Sequence, residues 1–154
     1  MPLYLLYPLY TAGIFLIMLA VVPRERIRRL VPYALLYGAV GDFAWLLILG
    51  YLGIAGYINY GPFGFLGMPF FPLLAWTFFF IIYLHLLPER YPWNYLFTLS
   101  AAAYSLIFSN VLQNLGIFAW RTGRLVAPAV VYLTWMILVT YTYQNLFTKT
   151  RVRP

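Results

Sequence analysis

"LVPYALLYGAVGDFAWLLILGY", residues 30–51, carries one charged side chain, Asp42, in a run that is otherwise apolar, aromatic or small. About 20 such residues match the roughly 30 Å hydrocarbon thickness of a bilayer. The run reads as a helix that crosses a membrane. A carboxyl near its middle costs roughly 2.5–3.5 kcal/mol on insertion scales, so its presence asks for a reason.

The rest of the chain extends the apolar pattern. Of 154 residues, 64% are hydrophobic and 8% charged; soluble domains carry about 25% charged residues. So few charges cannot cover a core of this size in water. The apolar runs predict an all-α fold, a polytopic bundle of five transmembrane helices at about 3–22, 30–51, 70–87, 94–118 and 129–147, in a single domain over 1–154. The first run is expected to be a retained helix rather than a signal peptide, because its basic cluster follows it. Gly50, Gly53 and Gly56 are expected to end the second helix, since glycine weakens a helix by about 1 kcal/mol relative to alanine. The stretch "GYINYGPFGFLGMPFFP" is too apolar for a free loop in water. It is expected to lie in the interface or to re-enter the membrane, where irregular backbone must be shielded.

Orientation follows from the basic residues. Arg24, Arg26, Arg28, Arg29, Arg90, Lys149, Arg151 and Arg153 share one side of the predicted topology, and Arg121 and Arg124 fall on the other. The positive-inside rule then puts the N-terminus outside and the C-terminus in the cytoplasm of a multi-pass cell-membrane protein, as in a bacterial inner membrane. Tyr4, Tyr7, Tyr91, Trp93 and Trp120 suit aromatic belts at the interfaces. The arginines of "RERIRR" (Arg24, Arg26, Arg28 and Arg29) would also attract anionic lipid head groups, at about 1 kcal/mol each near the surface. The net charge of +7 is therefore read as anchoring rather than as a nucleic-acid footprint, for which no soluble basic domain exists.

Ala34, Gly38 and Asp42 recur every four residues, a small-residue groove that lets a second helix approach closely. Asp42 is about 18 Å from the cytoplasmic end of its run, at 1.5 Å per residue. No basic residue is expected at that depth, so its carboxyl should be protonated or hydrogen-bonded by neutral groups. The fourth run offers a stripe of Ala101, Ser105, Ser109 and Gln113, widened by Asn110 and Asn114. Ser105, Ser109 and Asn110 are the expected partners of Asp42. Polar groups of this kind join membrane helices; an intramembrane acid is equally a candidate for ligand or proton chemistry.

Trp45, Trp76 and Trp135 fall inside the apolar runs, with Phe78, Phe79 and Phe80 beside Trp76. They serve packing, or line a pocket for a long apolar ligand, to which Tyr132, Tyr141 and Tyr143 could offer hydroxyls. His85 has Glu89 at i+4 and is read as half of an interfacial ion pair. The absence of cysteine excludes disulfides, thiolate metal sites and cysteine nucleophiles. One histidine and three acids are too few for a metal or haem site, so no metal, cofactor or catalytic residue is assigned.

The first run ending at Pro23, the basic turn after it, the glycine-aromatic stretch before "MPFFP" and the closing "YLHLLPERYP" together resemble a family of uncharacterised small integral membrane proteins of spore-forming bacteria. That resemblance implies the architecture and no activity. The stretch 42–87 also resembles the membrane lycopene cyclase domain, with an aspartate in one helix, an aromatic loop and the run "GMPFFPLLAWTFF". Phe71 and Pro72 stand where that domain has paired glutamates, which leaves shared architecture and removes the acid that protonates a polyene. Length and helix count are similar to the tryptophan-rich sensory proteins, whose Trp-Pro-Pro loop is absent here. The expected function is thus a non-enzymatic integral membrane protein that binds an apolar or lipid-like ligand, a partner membrane subunit or a second copy through a polar-lined core. The alternatives are an isoprenoid- or lipid-modifying enzyme using Asp42, and a small oligomeric transporter or channel.

Overall fold

The computed structural model describes residues 1–147 and is mostly helical. In chain order the helices are α1 (Leu3–Val21), α2 (Arg24–Tyr51), α3 (Phe71–Leu86), α4 (Trp93–Asn114) and α5 (Val126–Phe147). Among the described residues α1, α2, α4 and α5 are long and apolar enough to cross a membrane, and α3 is a shorter apolar helix. Four short strands form two antiparallel ribbons, β1 (Ala55–Tyr57) with β4 (Phe118–Trp120), and β2 (Gly64–Phe65) with β3 (Met68–Pro69). The backbone packs as two units: Met1–Leu86 with Leu112–Arg121, and Leu87–Val111 with the chain from Thr122 onward.

In the first unit α3 is the central element. It packs on both α1 and α2, and its buried residues, among them Ala75, Thr77, Phe80, Ile81 and Tyr83, point in several directions. A helix that is apolar all round belongs in such an interior position. α1 and α3 run parallel: the Thr11 hydroxyl is 3.4 Å from Phe71 O, and the Phe15 and Phe78 rings are 5.1 Å apart. α2 runs the other way, with Tyr37 against Phe80 and Gly38 against Thr77.

The basic turn expected at residues 24–29 is helix. Pro23 is extended at the N-cap and its carbonyl accepts from Ile27 N at 3.0 Å, so α2 starts at Arg24 rather than residue 30. Proline suits a helix start because it needs no donor there. α2 then passes Pro32 and contains a π-helical turn at Leu35–Val40. That turn has a consequence for packing. The buried residues Leu30, Ala34, Gly38 and Asp42 recur at intervals of four. On a pure α-helix such a row drifts by about 40° per step, and a wider π turn takes that drift back.

α2 and α4 end in the same way. Gly53 (φ +69°) and Gly116 (φ +82°) are left-handed, and each follows its helix with the paired bonds of a Schellman cap. Ile54 N donates to Leu49 O and Gly53 N to Gly50 O; Ile117 N donates to Leu112 O and Gly116 N to Gln113 O. Each cap hands the chain to a strand, and the two strands pair in the register Ala55–Trp120 to Tyr57–Phe118. This pairing is the feature the all-α expectation lacked. It also shortens the fourth helix, which stops at Asn114 instead of residue 118. Pro128 lies in the first turn of α5, which therefore begins at Val126, ahead of the expected 129.

Tyr7 ties α1 to this ribbon. It is fully buried, and its hydroxyl lies 2.5 Å from Ile58 O and 2.6 Å from Ile117 O. One proton serves two carbonyls from 51 and 110 residues away. Its ring stands 6.0 Å from Tyr57, which itself packs edge-on to Phe118 at 4.9 Å.

In the second unit α4 and α5 are joined by polar bonds. Asn94 Nδ2 donates to Gln144 Oε1 at 2.8 Å, and Gln144 Nε2 donates to Pro88 O at 2.8 Å. One turn further, the fully buried hydroxyls of Thr98 and Thr140 are 2.7 Å apart.

Candidate functional site

Asp42 follows the π turn of α2 by two residues and is 4% exposed. Its Oδ2 is buried and has no hydrogen-bond partner. A buried polar atom left unpaired costs about 1–3 kcal/mol, more when charged. Native structures pair such atoms, so each exception needs an explanation.

Its depth follows from the first unit alone. Gly38 is level with Thr77 on α3, so Asp42, one turn on along an antiparallel helix, is level with about residue 73. Phe71 is in turn level with Thr11, near the middle of Leu3–Val21. The carboxyl therefore stands at about the midpoint of the longest apolar stretch beside it.

The small-residue groove leading to Asp42 is occupied, and by α3. A Cβ built on Gly38 would lie 2.6 Å from Thr77 N and 2.7 Å from Trp76 C, so the two backbones touch. Thr77, the hydroxyl that α3 brings to this groove, donates to Leu73 O at 2.8 Å within its own helix. Trp45, one turn beyond Asp42, is half-buried, as is Trp76, whose ring packs on Phe79 and Phe80 at 5.3 and 6.0 Å.

Within their own unit, the expected partners of Asp42 bond to nearby backbone. Ser105 donates to Ala101 O, Ser109 to Leu106 O, and Asn110 Nδ2 to both Leu106 O and Arg124 O. These are bonds of a hydroxyl or amide to its own helix or to the following turn. Gln113 accepts from Trp120 N at 3.2 Å, which steadies the ribbon, and Asn114 is exposed at the end of α4. The buried row on α4 is Asn94, Thr98, Ala102, Ser105, Ser109 and Leu112. Its spacing averages about 3.6, one face of a helix, whereas a strict four-residue stripe winds off it. Asn94, Thr98, Thr140 and Gln144 were legible as polar residues at i, i+4 on two apolar runs.

These hydroxyls are glue between helices. Thr98→Val should destabilise the protein by about 1 kcal/mol by breaking the bond to the Thr140 hydroxyl, and Thr140→Val by a similar amount. The double variant should cost about as much as either alone. Unfolding curves in detergent measure the cycle; simple additivity would show that the hydroxyls do not interact.

Elsewhere the sequence pairs are loosened. α3 ends at Leu86, so Glu89 lies beyond the helix and the i, i+4 geometry with His85 is absent; His85 Nδ1 is buried without a partner. Arg24, Arg28 and Arg29 are exposed and Arg26 half-exposed on the first turns of α2. Lys149, Arg151 and Arg153 lie outside the described residues. No protein-family model, curated protein or solved structure matches the chain.

Proposed function

We propose that the chain is a multi-pass cell-membrane protein of five crossings, N-terminus outside, that binds an amphiphile through the Asp42 carboxyl. The ligand class is a long apolar body with one hydrogen-bond donor, and a polar side chain of a partner membrane subunit would satisfy the same acceptor. The observation that carries this is the buried Oδ2 of Asp42 with no partner at mid-depth. Strain of this kind is retained where a site uses it.

Five crossings are supported by the packing of α3, which runs beside α1 and reaches past the level of Val21. If α3 did not cross, Arg90 would fall on the side opposite Arg24–Arg29, against the positive-inside rule. At about 42 Å, α2 exceeds the hydrocarbon thickness, which leaves its arginine turns for the cytoplasmic head groups. Acid–base catalysis is less well supported. Glu25 is 17 residues from Asp42 on the same helix, about 26 Å away, and Glu89 follows the far end of α3.

Asp42→Leu tests the proposal. It removes the unpaired Oδ2 at similar shape, so the ligand-free protein should be as stable as wild type or more stable by about 1–3 kcal/mol. Native mass spectrometry from detergent should show a lipid-like adduct on the wild type and none on the variant. Asp42→Asn should fold normally. A marked loss of stability in Asp42→Leu, or an unchanged adduct, would mean that the carboxyl does not serve a ligand.

A further inference from the structure

The hairpin formed by β2 and β3 presents its largest apolar side chains outward. Phe65 is 62% exposed and Leu66 75%. Leu66 is also in the left-handed region, φ +51°, ahead of Gly67 at φ +79°. Two-residue hairpin turns of this hand favour asparagine or aspartate before glycine. A leucine there costs about 1–2 kcal/mol in backbone strain. A strained and exposed leucine is costly twice over in water, and an apolar surround around the side chain removes the cost of its exposure.

Two further observations say what that surround is. The first is depth. Tyr4 packs on Phe63 at 5.7 Å, Tyr7 bonds Ile58 O, and Thr11 reaches Phe71 O. Residues 58–71 thus run beside the first turns of α1, inside the apolar stretch Leu3–Val21. The second is backbone satisfaction. Gly64 and Phe65 pair with Pro69 and Met68, Phe70 N donates to Phe63 O at 3.0 Å, and the Tyr60 hydroxyl caps Gly67 O at 3.0 Å. A turn carbonyl at a hairpin tip needs no such cap in water; among lipid it does. No charged residue occurs from Tyr51 to Phe70.

We infer that the 64–69 hairpin is a lipid-embedded wedge, its tip Phe65–Leu66 seated among acyl chains of the leaflet opposite the arginine turns of α2. The inference rests on the reading of α1 as a membrane crossing. It assigns the glycine-aromatic stretch a partner, the bilayer itself, and a role in fixing where the outer ends of α2 and α3 stand.

The cysteine-free chain permits a clean test. Leu66→Cys, and separately Phe65→Cys, would carry a nitroxide label in phosphatidylcholine vesicles, with Ile17→Cys on the exposed face of α1 as the reference. The expected result is that labels at 65 and 66, like that at 17, relax several-fold more with oxygen than with a water-soluble nickel chelate. A label at 17 in lipid with those at 65 and 66 reached by nickel overturns the wedge and leaves the crossing intact. Labels at 65 and 66 shielded from both reagents would replace lipid by a protein partner, which also overturns it. A label at 17 reached by nickel removes the crossing, and the wedge with it.

Discussion

Gly38→Val is expected to lower the stability of the folded protein by about 3 kcal/mol or more, enough to deplete it in detergent extracts. The cause is a backbone contact rather than a crowded side chain. The added Cβ would meet Thr77 N at 2.6 Å and Thr77 Cα at 2.7 Å, and neither atom can rotate away. α2 would have to lift from α3, and the row Leu30, Ala34, Gly38 and Asp42 would lose its close approach. Gly38→Ala should fall between, about 1–3 kcal/mol worse than wild type, after a gain of about 1 kcal/mol in helix propensity is set against the clash. Thermal unfolding followed by circular dichroism gives both values. A valine variant that melts with the wild type would show that the two helices do not touch there.

Tyr7→Ala is the second large effect. A fully buried aromatic is removed, at about 3–5 kcal/mol, together with the donor shared by two carbonyls. Tyr7→Phe separates the two contributions. It keeps the ring contacts with Tyr10 and Tyr57 and strips the proton, so it should cost about 1–3 kcal/mol. Ile117 O retains its bond from Ile58 N at 3.1 Å, so the loss should fall mainly on Ile58 O. Amide exchange is the discriminating readout: Ile58 and Tyr57 should exchange faster in Tyr7→Phe, while amides in the middle of α3 stay protected. Equal protection in both places would remove Tyr7 from its role as a tie.

Much of the fold was legible because apolar length is a strong signal. The helical runs and their approximate places follow from the demand that backbone groups be satisfied inside each segment. Boundaries were less legible where charge misled: Arg24–Arg29 looked like a turn, yet arginine is a good helix former and Pro23 a good start. The groove Ala34–Gly38–Asp42 was visible as spacing, but not its occupant. α3 shows no polar stripe to match it, since Gly38 meets backbone atoms, which every sequence has. The β1–β4 ribbon was invisible because Gly56, Ala119 and their neighbours pair through main-chain atoms across more than sixty residues. Asp42 drew notice at once; that its Oδ2 has no partner could come only from coordinates.

The tie between Tyr7 and Ile117 bears on how the protein is made. A ribosome delivers Tyr7 early and Ile117 110 residues later. Until residues 117–120 have been made, β1 lacks its partner strand and Ile58 N its acceptor. The nascent chain up to α3 must then satisfy those groups in another way, and its settled form arrives only once Phe118–Trp120 has been made.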